Sequence, residues 1–131
     1  MSDLFDSASA ILGAKMQTYT AHAICWPNTP PLTSLNVPWV RFTVLPGELE
    51  KPALGPLAQH DLSGLVAVQV FAPSGTGDGV ARKAAWAIGE LFRRYESGGL
   101  WCGLPEYRTI GTADGWFQIN VLVPWTITGT V

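Results

Sequence analysis

The segment FAPSGTGDGVARK, residues 71–83, sets three alternating glycines, Gly75, Gly77 and Gly79, between an apolar run and a helical pattern. Lys83 follows four residues after the last glycine. Strand, glycine loop and helix together can cradle a phosphate, because backbone N–H groups at a helix N-terminus point at the anion. The residue types argue against that here. A P-loop needs a Gly-Lys pair and then Ser or Thr, whereas Lys83 follows Arg82 and precedes Ala84. A dinucleotide fingerprint needs Gly or Ala where one frame has Val80 and the other Arg82. Asp78 adds a negative charge that suits a helix dipole and repels phosphate. The stretch reads as a strand-to-helix turn with Thr76 or Asp78 as its cap.

Other catalytic groups are scarce. The two histidines are His22 and His60. His22 and Cys25 lie three apart on an expected strand, so they point to opposite faces and form no local nucleophile–base pair. His60 and Asp61 are adjacent and diverge if extended. No HExxH, GxSxG or metal-spaced cluster occurs. Cys25 and Cys102 form no CxxC pair and read as reduced, buried, small apolar residues. No enzyme activity, cofactor or metal is expected. Arg82, Lys83, Arg93 and Arg94 are half of the eight basic residues. They share one helix, with 82 and 93 on one stripe and 83 and 94 beside it. That is either a solvated face or a charged contact for a protein partner or passing DNA.

The positioning elements follow from the totals and the periodicity. A chain of 131 residues fits one domain, 1–131, with a proper core. Its 47% hydrophobic and 14% charged content excludes a disordered tail. A formal charge of −2 gives no bulk attraction for nucleic acid or anionic membrane. The first residues carry two aspartates and no basic start, unlike a secretion signal. No apolar run is long enough to span a bilayer.

Residues 3–17 suit a helix with Leu4, Ala8, Ile11, Leu12 and Met16 on one face. Residues 22–26 suit a short strand, and the prolines of 27–38 impose a loop. Residues 39–45 alternate, with Val40, Phe42 and Val44 inward and Trp39, Arg41, Thr43 and Leu45 outward. Residues 46–56 break that pattern. Residues 64–72 form the strongest strand. A helix over 79–96 is expected to bury Val80, Ala84, Ala87, Ile88, Leu91 and Tyr95, and Gly98-Gly99 to end it. Residues 106–112 and 116–127 read as a hairpin turning at Ala113-Asp114-Gly115. Its last strand turns Phe117, Ile119, Val121, Val123 and Trp125 inward, and Trp116, Gln118, Asn120 and Leu122 outward. The order implies an α+β fold: a mainly antiparallel mixed sheet with two helices packed on one face. Large apolar residues on the opposite face, Trp39, Leu45, Trp116 and Leu122, then need a second layer or a partner subunit.

The ordered elements CWPN (25–28), PWVRFTVLPGE (38–48), GLVAVQVFAPSGTG (64–77), a helix with Ala84, Ala87 and Phe92, and DGWFQINVLVPW (114–125) resemble a known family. It is the tail terminator-like proteins of phages with long non-contractile tails, related in fold to the lambda tail terminator. The resemblance covers about residues 20–127, and its motifs are structural. It implies a virion protein, assembled in the host cytoplasm, that forms a hexameric ring at the head-proximal end of the tail tube. The ring would stop tube growth and present a surface to head-completion or neck proteins, while DNA passes its pore without specific binding. No catalysis and no membrane contact are implied.

A ring needs a heterologous interface that closes. Trp39, Arg41, Trp116, Gln118 and Leu122 on the outward sheet face are expected to form part of it. The loop bearing Glu48, Glu50 and Lys51 is expected to reach the tube or neck. Two other readings compete: a head–tail joining protein of similar size, and a small nucleic-acid-binding module using the 82–94 stripe.

Overall fold

A computed structural model describes residues 2–33, 36–50, 59–75 and 78–130. Helix α1 (Ser2–Met16) opens the chain, and helix α2 (Gly79–Phe92) sits midway. The strands are β1 (Ala23–Cys25), β2 (Trp39–Glu50), β3 (Gln59–Pro73), β4 (Glu96–Ser97), β5 (Leu100–Cys102), β6 (Glu106–Ala113) and β7 (Trp116–Thr130). They form one curled sheet in the order β1-β2-β3-β7-β5-β4, with β6 also paired to β7. Among the described residues only the β1–β2 pairing is parallel. The fold is α+β, as the element pattern predicts.

Both helices lie on one face. Leu4, Ala8, Leu12 and Met16 of α1 are buried at the i, i+4, i+8 spacing that reads as one stripe. Under them lie Val40 and Phe42 of β2, Val66, Val68 and Val70 of β3, and Ile119, Val121, Val123 and Trp125 of β7. Each fully buried aliphatic side chain of this kind contributes about 1.5–3 kcal/mol. Phe42 sits between two aromatic neighbours, stacking on Phe92 at 6.4 Å and meeting Trp26 edge-on at 5.5 Å.

Several elements depart from the sequence pattern. Strand β2 runs on through the expected break at residue 46, with a register shift between Pro46 and Leu49. Strand β1 covers only Trp39–Arg41, so among the described residues the outer edge of β2 is unpaired at Pro46, where a proline is tolerated. Helix α2 ends at Phe92, four residues early, where the Arg93 N–H still bonds to Gly89 O and Arg94 turns left-handed at φ 52°. Gly98-Gly99 therefore does not cap the helix. With φ of 55° and 83° it turns the β4–β5 hairpin, a pair too short to show in the sequence.

The buried face of α2 is also rotated from expectation. It comprises Ala81, Ala84, Ala85, Ile88, Gly89 and Phe92, while Val80 and Ala87 are exposed. Small residues let the helix lie close on the sheet. At Gly89 an added Cβ would collide with the Tyr107 hydroxyl of β6.

One polar contact ties down the segment after α1. The Tyr19 hydroxyl and His22 Nδ1 share a hydrogen bond at 2.5 Å, and burial holds the His22 pKa below its ordinary 6.5. Burial therefore favours the neutral ring in the folded state. Near and below pH 6.5 the unfolded chain binds the extra proton, so this stabilisation is present above that pH and is lost as pH falls. We expect the urea midpoint to drop between about pH 7.5 and about pH 5.5. The slope should flatten in His22→Gln, and an unchanged slope in that variant would exclude His22 as its source.

Candidate functional site

The strand alternation sends Trp39, Arg41, Thr43 and Leu45 to the face without helices, with Leu65, Ala67, Gln69 and Phe71 beside them on β3 and Trp116, Gln118, Asn120 and Leu122 on β7. At one end of this face Pro31, Thr33, Trp39, Arg41, Phe71, Asp114, Trp116 and Gln118 line a depression of about 270 Å³. Four residues expected at an interface, Trp39, Arg41, Trp116 and Gln118, thus come together. The fifth, Leu122, is half-buried and lies four residues along β7 from Gln118, roughly 13 Å away at strand rise.

Trp39 corrects the picture of a free outward tryptophan. It is 1% exposed. Its ring stacks on Phe71 at 4.4 Å and meets Trp116 edge-on at 6.2 Å. The Arg41 guanidinium lies over it, 5.5 Å from the ring centre. Trp39 is therefore the floor of the depression, and Arg41, Trp116 and Gln118 are its walls. Gln118 is held by donating its side-chain amide N–H to Asn120 Oδ1 at 2.8 Å. Asp114 stands at the rim with φ 54° in the β6–β7 turn, where Asp-Gly supplies the left-handed geometry. Further along the same face Leu45 and Leu65 are exposed and paired side by side, next to exposed Pro124.

A second apolar surface lies on the helix side. Trp86, on the outward stripe of α2, is 58% exposed and stacks on Tyr107 of β6 at 5.6 Å. Leu104 is exposed beside them, in a hollow shared with Glu90 and Arg93. Burial, and then the Glu90 carboxylate, push the Tyr107 phenol up in pKa. The sequence pattern assigned Trp86 and Tyr107 no role. The available signal was a large aromatic between Arg82-Lys83 and Glu90 on one helical stripe.

The remaining residues are placed as follows. Arg82 pairs with Asp78 at 3.1 Å and Arg93 with Glu90 at 3.4 Å, both on the exposed surface of α2. Such pairs contribute between nothing and about 1 kcal/mol. Lys83 is exposed on the same helix, and Arg94 lies just past its end. Asp78 occupies the N-cap position, yet its side chain makes no cap hydrogen bond and turns to Arg82 instead. Thr76, the other expected cap, lies outside the described residues. Glu48 and Glu50 belong to strand β2 rather than to a loop, with Glu50 opposite Asp61. Lys51 lies outside the described residues.

The groups weighed for chemistry are separated. His22 bonds to Tyr19, and the Cys25 thiol contacts Thr29 and Pro30. Asp61 accepts from the Thr128 hydroxyl at 2.5 Å. Both cysteines are free and buried, and burial pushes the Cys102 thiol up to about 11. Among the described residues, no three His, Cys, Asp or Glu gather as a metal site, and no helix is long and apolar enough to cross a membrane.

Comparison with known proteins then adds kinship. No curated protein matches the chain significantly. One solved structure superposes with a TM-score of 0.65 over 97% of this chain and 95% of the other, at 23% identity, a likeness of fold alone. Residues 7–125 match the family described as "Phage tail terminator protein".

Proposed function

The chain belongs to the phage tail terminator family, a group of structural proteins of the virion tail, and on that premise we propose that it forms a ring on the head-proximal end of the tail tube. The ring ends tube polymerisation and offers its far side to head-completion or neck proteins. Six subunits close it, and DNA crosses the pore without being held. The subunits assemble in the host cytoplasm on the tube. The observation that carries this reading is the family match across residues 7–125. The helix-free sheet face supports it, because exposed Leu45 and Leu65 and half-buried Trp116 ask for a neighbour. The net charge of −2 fits a pore that must let DNA slide.

Removing the coding sequence from a phage that carries it tests the reading. Tubes should then overgrow to variable lengths and heads should stay tailless, as seen by negative-stain microscopy. Tubes of normal length that merely fail to join heads would instead assign the chain to the neck.

A further inference from the structure

A heterologous ring presses two different surfaces of each subunit together, one from each neighbour. Two of the apolar surfaces among the described residues lie on opposite sides of the sheet. One is the depression walled by Arg41, Trp116 and Gln118. The other is the ridge made by Trp86 and Tyr107. We propose that they are the two halves of one contact: Trp86 of one copy enters the depression of the next. The inference rests on the ring reading above and assigns its seam.

Shape and charge both favour a second copy as the occupant. The ridge projects a half-exposed indole from a helix. The depression, at about 270 Å³, shows the half-buried rings of Phe71 and Trp116 with the Arg41 guanidinium beside them, a surface that takes an indole by aromatic and cation–π contact. Around Trp86 stand Lys83 and Glu90, one turn to either side on the same stripe. Around the depression stand Asp114 and Arg41. Glu90 stays with Arg93, and the complementary pair is Lys83 with Asp114 at the rim of the depression. A nucleic acid is the poorer occupant, because Asp78 and Glu90 already offset the charges of Arg82 and Arg93. Because the two surfaces lie on opposite sheet faces, the contact repeats head to tail and closes when the turn per subunit divides a circle.

The test uses cysteine pairs in the full chain, since Cys25 and Cys102 are buried and silent. Lys83→Cys with Asp114→Cys, mildly oxidised at the highest soluble concentration with and without tube ends, should give a ladder of cross-linked oligomers. Neither single variant should give more than dimers. Adding Trp86→Ser should weaken the ladder roughly tenfold or more, as for a buried aromatic anchor. Trp86 is exposed, so that variant is expected to fold, and its circular dichroism and melting curve check this. If wild-type protein forms rings but the double variant gives no ladder, or if Trp86→Ser leaves the ladder intact, this seam is wrong and the ring reading stands. If wild-type protein never rings or caps tubes and no ladder appears, both fall.

Discussion

Phe92→Ala should lower the unfolding free energy by about 3–5 kcal/mol. Phe92 is fully buried at the last turn of α2 and stacks on Phe42 of β2. Phe42 in turn meets Trp26, so one ring links helix, sheet and the start of the proline-rich loop. Truncation removes the transfer energy of the ring and leaves a cavity between two elements that cannot collapse freely. The loss is a large share of the 5–15 kcal/mol typical of a domain. Urea unfolding should show a lower midpoint with an unchanged slope. A midpoint within error of wild type would mean that α2 does not anchor the core through this residue.

Gly64→Val should be as damaging, on the order of 3–5 kcal/mol, through overpacking and displacement of Trp125. Gly64 lies in β3 between Pro46 of β2 and Trp125 of β7. An added Cβ would overlap the Leu45 carbonyl oxygen and come within 2.5 Å of the Trp125 ring. The ring could move; the carbonyl belongs to the paired backbone and cannot. Combining Gly64→Val with Trp125→Leu should therefore fail to restore the melting temperature. Full rescue would show that only the tryptophan resisted the change.

The two positions mark what was legible in the sequence. The valine alternation of β3 and the stripe of α1 needed only period 2 and period 3.6, and both folded as read. The outward group of Trp39, Arg41, Trp116 and Gln118 also followed from alternation, because side-chain direction along a strand is local. Burial is not local. Trp39 is covered by Phe71 and Trp116, from strands far along the chain, and by Arg41. Helix α2 misled for a related reason. Valine and alanine at 80 and 87 weigh as apolar, yet packing on β3 and β7 turns the small residues at 81, 85 and 89 inward, with Gly89 against the Tyr107 side chain. That rotation turns Trp86 to the surface. Strand β2 past Pro46 was hidden because proline stops a central strand and not an unpaired edge.

The pairing of β3 with β7 also sets the order of events in the chain's own formation. Ser63 meets Thr126 and Asp61 meets Thr128, partners 63 and 67 residues apart. Strand β7, the last described element to be synthesised, is the one that joins β3, β5 and β6. Until it leaves the ribosome, β3 has a bare edge and both helices lack half their floor. Contacts of such long range close slowly. Folding is then a late, nearly all-at-once step. A nascent chain presents no finished surface to any partner until β7 is in place.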